Sequence, residues 1–316
     1  MTYSPPSSPS AGADFAALPG LQFIERGWLS ANNTVFTQGT TAVVDTGYCI
    51  HAEQTLALVE SALQGAPLQR IVNTHLHSDH CGGNALLQQH WPQARTSIAP
   101  GDAQAVQQWD VERLSYRPTG QDCPRFVLDD VLQPGGETVL GLQRWQVHAA
   151  PGHDPHSVIL FEPQTRTLIS ADALWEAGFG VVFPEIEGIA AFDEVAATLD
   201  VIEQLQPAVV LPGHGGIFTD VAAALATARR RLDGFVRHPE RHALYAAKVL
   251  LKYKLLEWQQ LPLAQVYAWL AATPYYGLLH QGYFADQPFA DWSAALVADL
   301  QRSGAAQLVD GVLFNS

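Results

Sequence analysis

The chain has 316 residues, 47% of them hydrophobic, enough to bury a sizeable core and more than a single small unit needs, so one large domain and a smaller one are expected. Its net charge of −14 is uneven: residues 1–219 hold 8 arginines, no lysine and 23 acids, against 9 Lys+Arg and 8 acids from 220 onward. Such a surface repels phosphate backbones and argues against nucleic acid as a partner, and no apolar run is long enough to span a membrane. Residues 1–19, rich in proline, serine and alanine, read as a flexible arm without the basic start or apolar run of a signal sequence. From Leu21, the runs LQFIERGWL, TVFTQG (after the turn-forming Asn32-Asn33) and TTAVVDTG read as an antiparallel meander ending at Asp45. A helix over about 51–64 follows, then a strand, LQRIVNT, that runs straight into His75. AVQQWDVERL reads as helical; LQRWQVHAAPG, SVILFEP and TRTLISAD read as successive strands; a helix over about 191–205 precedes the strand AVVLPGHGG. Residues 20–219 thus alternate strands and helices as an α/β sandwich does. From 220 the pattern is helix upon helix, closed by AQLVDGVLFNS, where Asp310-Gly311 between apolar triplets signals a hairpin. A smaller helical domain over 220–316 with a terminal β-wing is expected.

The stretch THLHSDHCGG, Thr74 to Gly83, places three histidines and an aspartate in six positions. Imidazole and carboxylate suit zinc and similar first-row metals, and four such groups in one tight loop crowd each other unless a cation holds them. The other ligand-type residues at strand ends are Asp45 in VVDTG, His153 in APGHD, Asp172 in ISADA and His214 in LPGHGG. Each follows an apolar run beside small residues, so all can project into one cleft. Cys81 beside His80 reads as a small buried residue, because its neighbours already supply enough donors. Three cysteines without a CxxC pair suit a reducing, cytoplasmic setting. There is no GxSxG elbow, and HPERH has Pro239 where HExxH needs glutamate, so His238 and His242 read as solvated helix-end residues. His51, His90, His148 and His280 lack motif context and read as structural or surface residues.

HLHSDH resembles the HxHxDH signature of the metallo-β-lactamase-fold hydrolases, and the later motifs match that superfamily's in order over residues 20–219. The resemblance implies an αββα sandwich. It also implies one metal on His75, His77 and His153 and a second on Asp79, His80 and His214, with Asp172 bridging. Asp79 and Asp172 are the implied catalytic carboxylates. Asp45 would hold a ligating imidazole's outer N–H, and His156 would donate to a substrate or orient Asp172. Two divalent ions about 3.5–4 Å apart, zinc first and manganese or iron as alternatives, share a water whose pKa falls toward about 7. The resemblance by itself leaves β-lactams, lactones, thioesters and phosphodiesters open as substrates.

The stretch after Asp172, LWEAGFGVVFPEIEG, offers Trp175, Phe179 and Phe183 as a pocket wall, and the C-terminal aromatics Tyr275, Tyr276 and Tyr283 are further candidates. An apolar wall in a lysine-free domain favours an uncharged ester, lactone or thioester as a small-molecule substrate. Two rival readings are a phosphodiesterase or ribonuclease, because the tail resembles the winged-helix-like end of a ribonuclease-related branch, and a non-catalytic interaction module with a structural metal site. The aromatic content of the tail also suits a homo-oligomer contact.

Overall fold

Several strands are apolar on both faces, which requires layers on either side. The computed structural model describes residues 18–316, so the expected arm lies, except for its last two residues, outside the described residues. One six-stranded sheet runs in the order β1 (Leu21–Ile24), β2 (Asn33–Phe36), β3 (Ala42–Val44), β4 (Arg70–Val72), β5 (Arg95–Ile98), β6 (Asp130–Val131). Its first three strands form the expected antiparallel meander and the rest add in parallel. The second sheet is antiparallel through β7 (Glu137–Leu140), β8 (Gln143–Ala149), β9 (Val158–Glu162) and β10 (Thr167–Ala171), and ends on β11 (Val209–Pro212), parallel to β10.

Period-two alternation sorts these strands' side chains between two cores. Phe36, Val44 and Val72 of the first sheet meet Val147, Val158, Leu160 and Ile169 of the second between the sheets. Their neighbours Val35, Val43 and Ile71 face outward against Val59, Leu63 and Leu87, carried by α1 (Ala52–Leu63) and α3 (Asn84–His90). Ile159, Phe161 and Leu168 face the other outer layer, α7 (Phe192–Leu205) and α8 (Val221–Arg237). The order is therefore helix, sheet, sheet, helix, as expected. Short helices punctuate the connections: α2 (Ser78–Cys81), α4 (Ala103–Gln108), α5 (Tyr116–Thr119) and α6 (Phe183–Ile186). The helix read from AVQQWDVERL stops at Gln108, because Trp109 turns left-handed at φ 56°.

Beyond the sandwich, α9 (Pro239–Trp258), α10 (Leu263–Ala272), α11 (Pro274–Tyr283) and α12 (Phe289–Arg302) enclose a core of their own. The terminal hairpin β13 (Ala306–Val309) and β14 (Val312–Asn315) forms at Asp310-Gly311 and takes a third strand, β12 (Gln260–Pro262). α8 begins past residue 219, yet its Leu225, Ala228, Leu232 and Phe235 join the core under the second sheet. Val181, from the loop after Asp172, and Ile186 of α6 pack among the C-terminal helices. The helical region is thereby seated next to the strand ends where the ligand-type residues lie. No helix among the described residues is long and apolar enough to cross a membrane.

Candidate metal centre

Strand ends deliver the site. β4 runs into His75, and α2 turns Asp79 and His80 back toward it. β10 ends in a register shift with Ala171 at φ 47°, and Asp45 after β3 has φ 57°. Left-handed backbone is costly for residues with a side chain, and here it aims two carboxylates.

Three imidazole nitrogens meet in one place: His75 Nε2 to His77 Nδ1 is 3.1 Å, His77 Nδ1 to His153 Nε2 2.8 Å, and His153 Nε2 to His75 Nε2 3.3 Å. His153 donates its Nδ1–H to the Val181 carbonyl at 2.5 Å, so its Nε2 carries a lone pair. One proton can bridge only one pair of such nitrogens. A tetrahedral ion with nitrogens at about 2.0–2.1 Å would hold all three, at separations close to those seen. Burial, followed by repulsion from neighbouring imidazoles, keeps His75 well below its ordinary pKa and His77 at about 3; burial also lowers His153. All three are therefore neutral at pH 7, as ligands must be.

The second set forms around Asp79. His214 Nε2 lies 3.0 Å from Asp79 Oδ2, and His80 Nε2 lies 3.7 Å from the same oxygen. His80 Nδ1 is taken by Asp45 Oδ2 at 2.8 Å, and Asp45 is itself held by the Thr74 N–H and hydroxyl. His80 Nε2 is then left buried with no hydrogen-bond partner, an orphaned polar atom of the kind a cation would satisfy. Asp172 stands between the sets, with Oδ1 3.3 Å from His80 Nε2 and Oδ2 3.4 Å from His153 Nε2 and 3.8 Å from His214 Nε2. Glycines make room for these groups: a Cβ on Gly180 would fall 2.3 Å from His153 Nδ1, and one on Gly213 2.3 Å from Asp172 Oδ1.

Without an ion, burial opposes charge on His80, but Asp172, Asp45 and Asp79 outweigh it and raise its pKa well above the usual value. Burial likewise opposes charge on Asp79, yet His80 and His214 bring it down to about 2. His80 is therefore the imidazole that must lose a proton to ligate. Calorimetric titration of the metal-free protein with zinc in buffers of different ionisation enthalpy should show net proton release. The sign follows: protons compete for His80, so affinity should fall as pH is lowered. Proton-neutral uptake would contradict this assignment.

The structure brings together every residue of the expected ligand set, and Asp45 meets His80 as expected. The expected pocket residues divide. Trp175 is buried against His214 and donates Nε1–H to Asp172 Oδ1 at 3.3 Å, and Phe183 lies edge-on to His77 at 4.7 Å. Tyr275 lines a cavity of about 160 Å³ with Phe183 and His77, its hydroxyl bound to Glu187. Phe179, in contrast, packs against Phe235 in the core under the second sheet, and Tyr276 is wholly buried among the C-terminal helices, its hydroxyl on the Ala247 carbonyl. Tyr283 spends its hydroxyl on the Glu185 carbonyl and does not line the cavity. His156 stands over Gly101 on the cavity wall with Asp102 and Asp154, apart from Asp172, so it does not orient that carboxylate.

Sequence reasoning missed several neighbours. Trp28, about half exposed, stacks on His214 with ring centres 5.3 Å apart. Tyr253 of α9 donates its hydroxyl to Asp79 Oδ2 at 3.1 Å. His242, expected in solvent, is buried and accepts the Val182 N–H at 3.0 Å. Asp154, whose place next to His153 was legible in GHDPH, lies 3.8 Å from His77 Nε2; burial, then the Asp102 carboxylate, pushes it up to about 7. Arg113 is the one cation on the cavity wall.

A sandwich of this order with histidine and aspartate ligands at its strand ends defines a class of metal-binding α/β proteins. The sequence profile of the metallo-beta-lactamase superfamily matches residues 26–214, and the chain belongs to that superfamily. It is 26% identical over 193 residues to the uncharacterized protein YobT of Bacillus subtilis (strain 168), covering 53% of this chain and 82% of YobT. A hydroxyacylglutathione hydrolase of Brucella anthropi is 27% identical over 170 residues, 51% of each chain, so this chain spans about half the length of that relative. The solved beta-lactamase domain protein of Burkholderia ambifaria shares the fold with a TM-score of 0.58 at 21% identity, over 98% of this chain and 96% of its own.

Proposed function

We propose that this chain is a two-metal hydrolase of small neutral acyl compounds, with thioesters, lactones and carboxylic esters as the substrate class. The observation that carries this reading is the make-up of the cavity beside His77. Leu76, Leu114, Phe183 and Pro184 form an apolar wall, and Asp102, Asp154 and Glu187 face it with Arg113 as the single cation. An anionic phosphodiester would meet the acidic side chains of Asp102, Asp154 and Glu187 there, whereas a neutral acyl group meets apolar surface next to the ligand cluster. The likeness to hydroxyacylglutathione hydrolases points the same way, toward thioesters. The three free cysteine thiols, among them Cys81 buried behind the histidine loop, support a cytoplasmic setting.

Divalent ions, with zinc the first candidate and manganese or iron the alternatives, would supply an acidified water and an electrophile for the carbonyl oxygen. His75, His77 and His153 would hold one ion, Asp79, His80 and His214 the other, with Asp172 between them. Asp45 and the Val181 carbonyl accept the outer N–H groups of His80 and His153, so both rings are aimed before an ion arrives. Phe183 and Tyr275 exclude water beside His77 and seat the acyl group.

A panel of an aryl ester, a lactone, a thioester and a phosphodiester reporter, assayed at low salt with metal-loaded protein, tests the reading. Turnover of an acyl substrate should exceed that of the phosphodiester at least tenfold. Faster phosphodiester or RNA cleavage that weakens steeply with salt would reverse the assignment.

A further inference from the structure

A single helix of the C-terminal region reaches both halves of the metal centre. Near the start of α9, His242 Nε2 accepts the Val182 N–H at 3.0 Å. That N–H and the Val181 carbonyl belong to one peptide group, and the carbonyl accepts the Nδ1–H of His153 at 2.5 Å. His242 therefore orients the peptide plane that sets His153's tautomer and direction, and each hydrogen bond in this chain polarises the next. His242 lies under the rings of Phe192 and Phe235, and burial, then Arg231, lowers its pKa to about 4, so it remains a neutral acceptor.

Eleven residues on, close to three helical turns and so on nearly the same face, Tyr253 donates its hydroxyl to Asp79 Oδ2 at 3.1 Å and lies 3.4 Å from His214 Nε2. One turn further, Glu257 accepts from the Tyr48 hydroxyl at 3.0 Å and from Lys254 at 2.8 Å, tying the same helix to the loop before α1. The contacts fall separately on the two ligand sets: His242 acts through His153, and Tyr253 acts on Asp79 and His214.

We propose that α9 is a strut that positions both ligand sets, His242 serving the His75, His77, His153 set and Tyr253 the Asp79, His80, His214 set. The inference rests on the two-ion reading of the centre but not on the substrate class. Partners of this kind behind metal ligands typically change affinity about 10–100-fold when removed.

The test is calorimetric titration of zinc into metal-free full-length protein, with melting of the metal-free forms as the control for folding. Wild type should take up two ions in two steps. Tyr253→Phe, which removes one oxygen, should weaken one step about tenfold or more and leave the other alone. His242→Leu should weaken the other step, and His242→Gln, which keeps an acceptor, should restore much of it. Unchanged steps in both Tyr253→Phe and His242→Leu would overturn the proposal. Equal weakening of both steps by either substitution would also overturn it, because α9 would then act only as general support. If His242→Leu melts far below wild type, Tyr253→Phe and the comparison of His242→Gln with wild type decide. If wild type takes a single ion, the two-ion reading falls, and the strut stands only if one of the two substitutions weakens that step.

Discussion

Replacing Asp172 with alanine should lower acyl-ester turnover about a thousand-fold or more, equivalent to about 4 kcal/mol of transition-state stabilisation. Its two oxygens lie 3.3–3.8 Å from the Nε2 atoms of His80, His153 and His214, so it faces both candidate ligand sets. Alanine there removes negative charge from both ion positions at once and frees the Trp175 indole N–H. The folded core should survive, because the residue projects from the end of β10 and its removal leaves no apolar cavity. Metal content and turnover measured on the same preparation check this. A variant that keeps two ions and wild-type rate would remove Asp172 from the mechanism.

Gly213→Ala should be nearly as damaging to metal uptake, although Gly213 itself offers no ligand atom. The added Cβ would lie 2.3 Å from Asp172 Oδ1, closer than real contacts permit, and 3.0 Å from the Ala171 carbonyl, a tight contact. The backbone has little room to yield, since Gly213 donates its N–H to the Ala171 carbonyl at 2.8 Å where β10 and β11 pair in parallel. The Asp172 carboxylate must move instead. Overpacking of this kind costs about 1–3 kcal/mol of stability, small beside the loss of the centre. Gly234→Ala is the control: nothing lies within 4 Å of the added methyl on α8, and helix propensity should raise stability by about 0.5–1 kcal/mol. Equal metal content in the two variants would show that the close approach at Gly213 is unimportant.

The elements legible in the sequence are those with a strong local signal. The meander β1–β3, the helix α1 and the strand β4 stood out because apolar period and turn residues coincide. β5, with the segment Arg95–Ile98 and one large apolar side chain, and the two-residue β6 carry no such pattern; tertiary pairing makes them strands. α11 was hidden by its two glycines and its proline start, and it forms under the pressure of the C-terminal core. The candidate ligand set was readable for a related reason: each of its motifs follows a strand beside small residues, so a run of a few residues encodes both chemistry and place.

By itself the sequence determined the superfamily, the αββα order and the identity of the seven metal-ligand candidates, since these rest on short motifs and on strand and helix periods. Only the tertiary structure decided which aromatics face the cavity. Phe179 and Phe183 lie four residues apart, yet one packs under the second sheet and the other stands beside His77. It alone decided that His242 is buried and that Tyr253 meets Asp79, a residue 174 positions away. Such contacts depend on how the C-terminal helices dock, a balance of many side chains from distant segments, and no local period or motif records it.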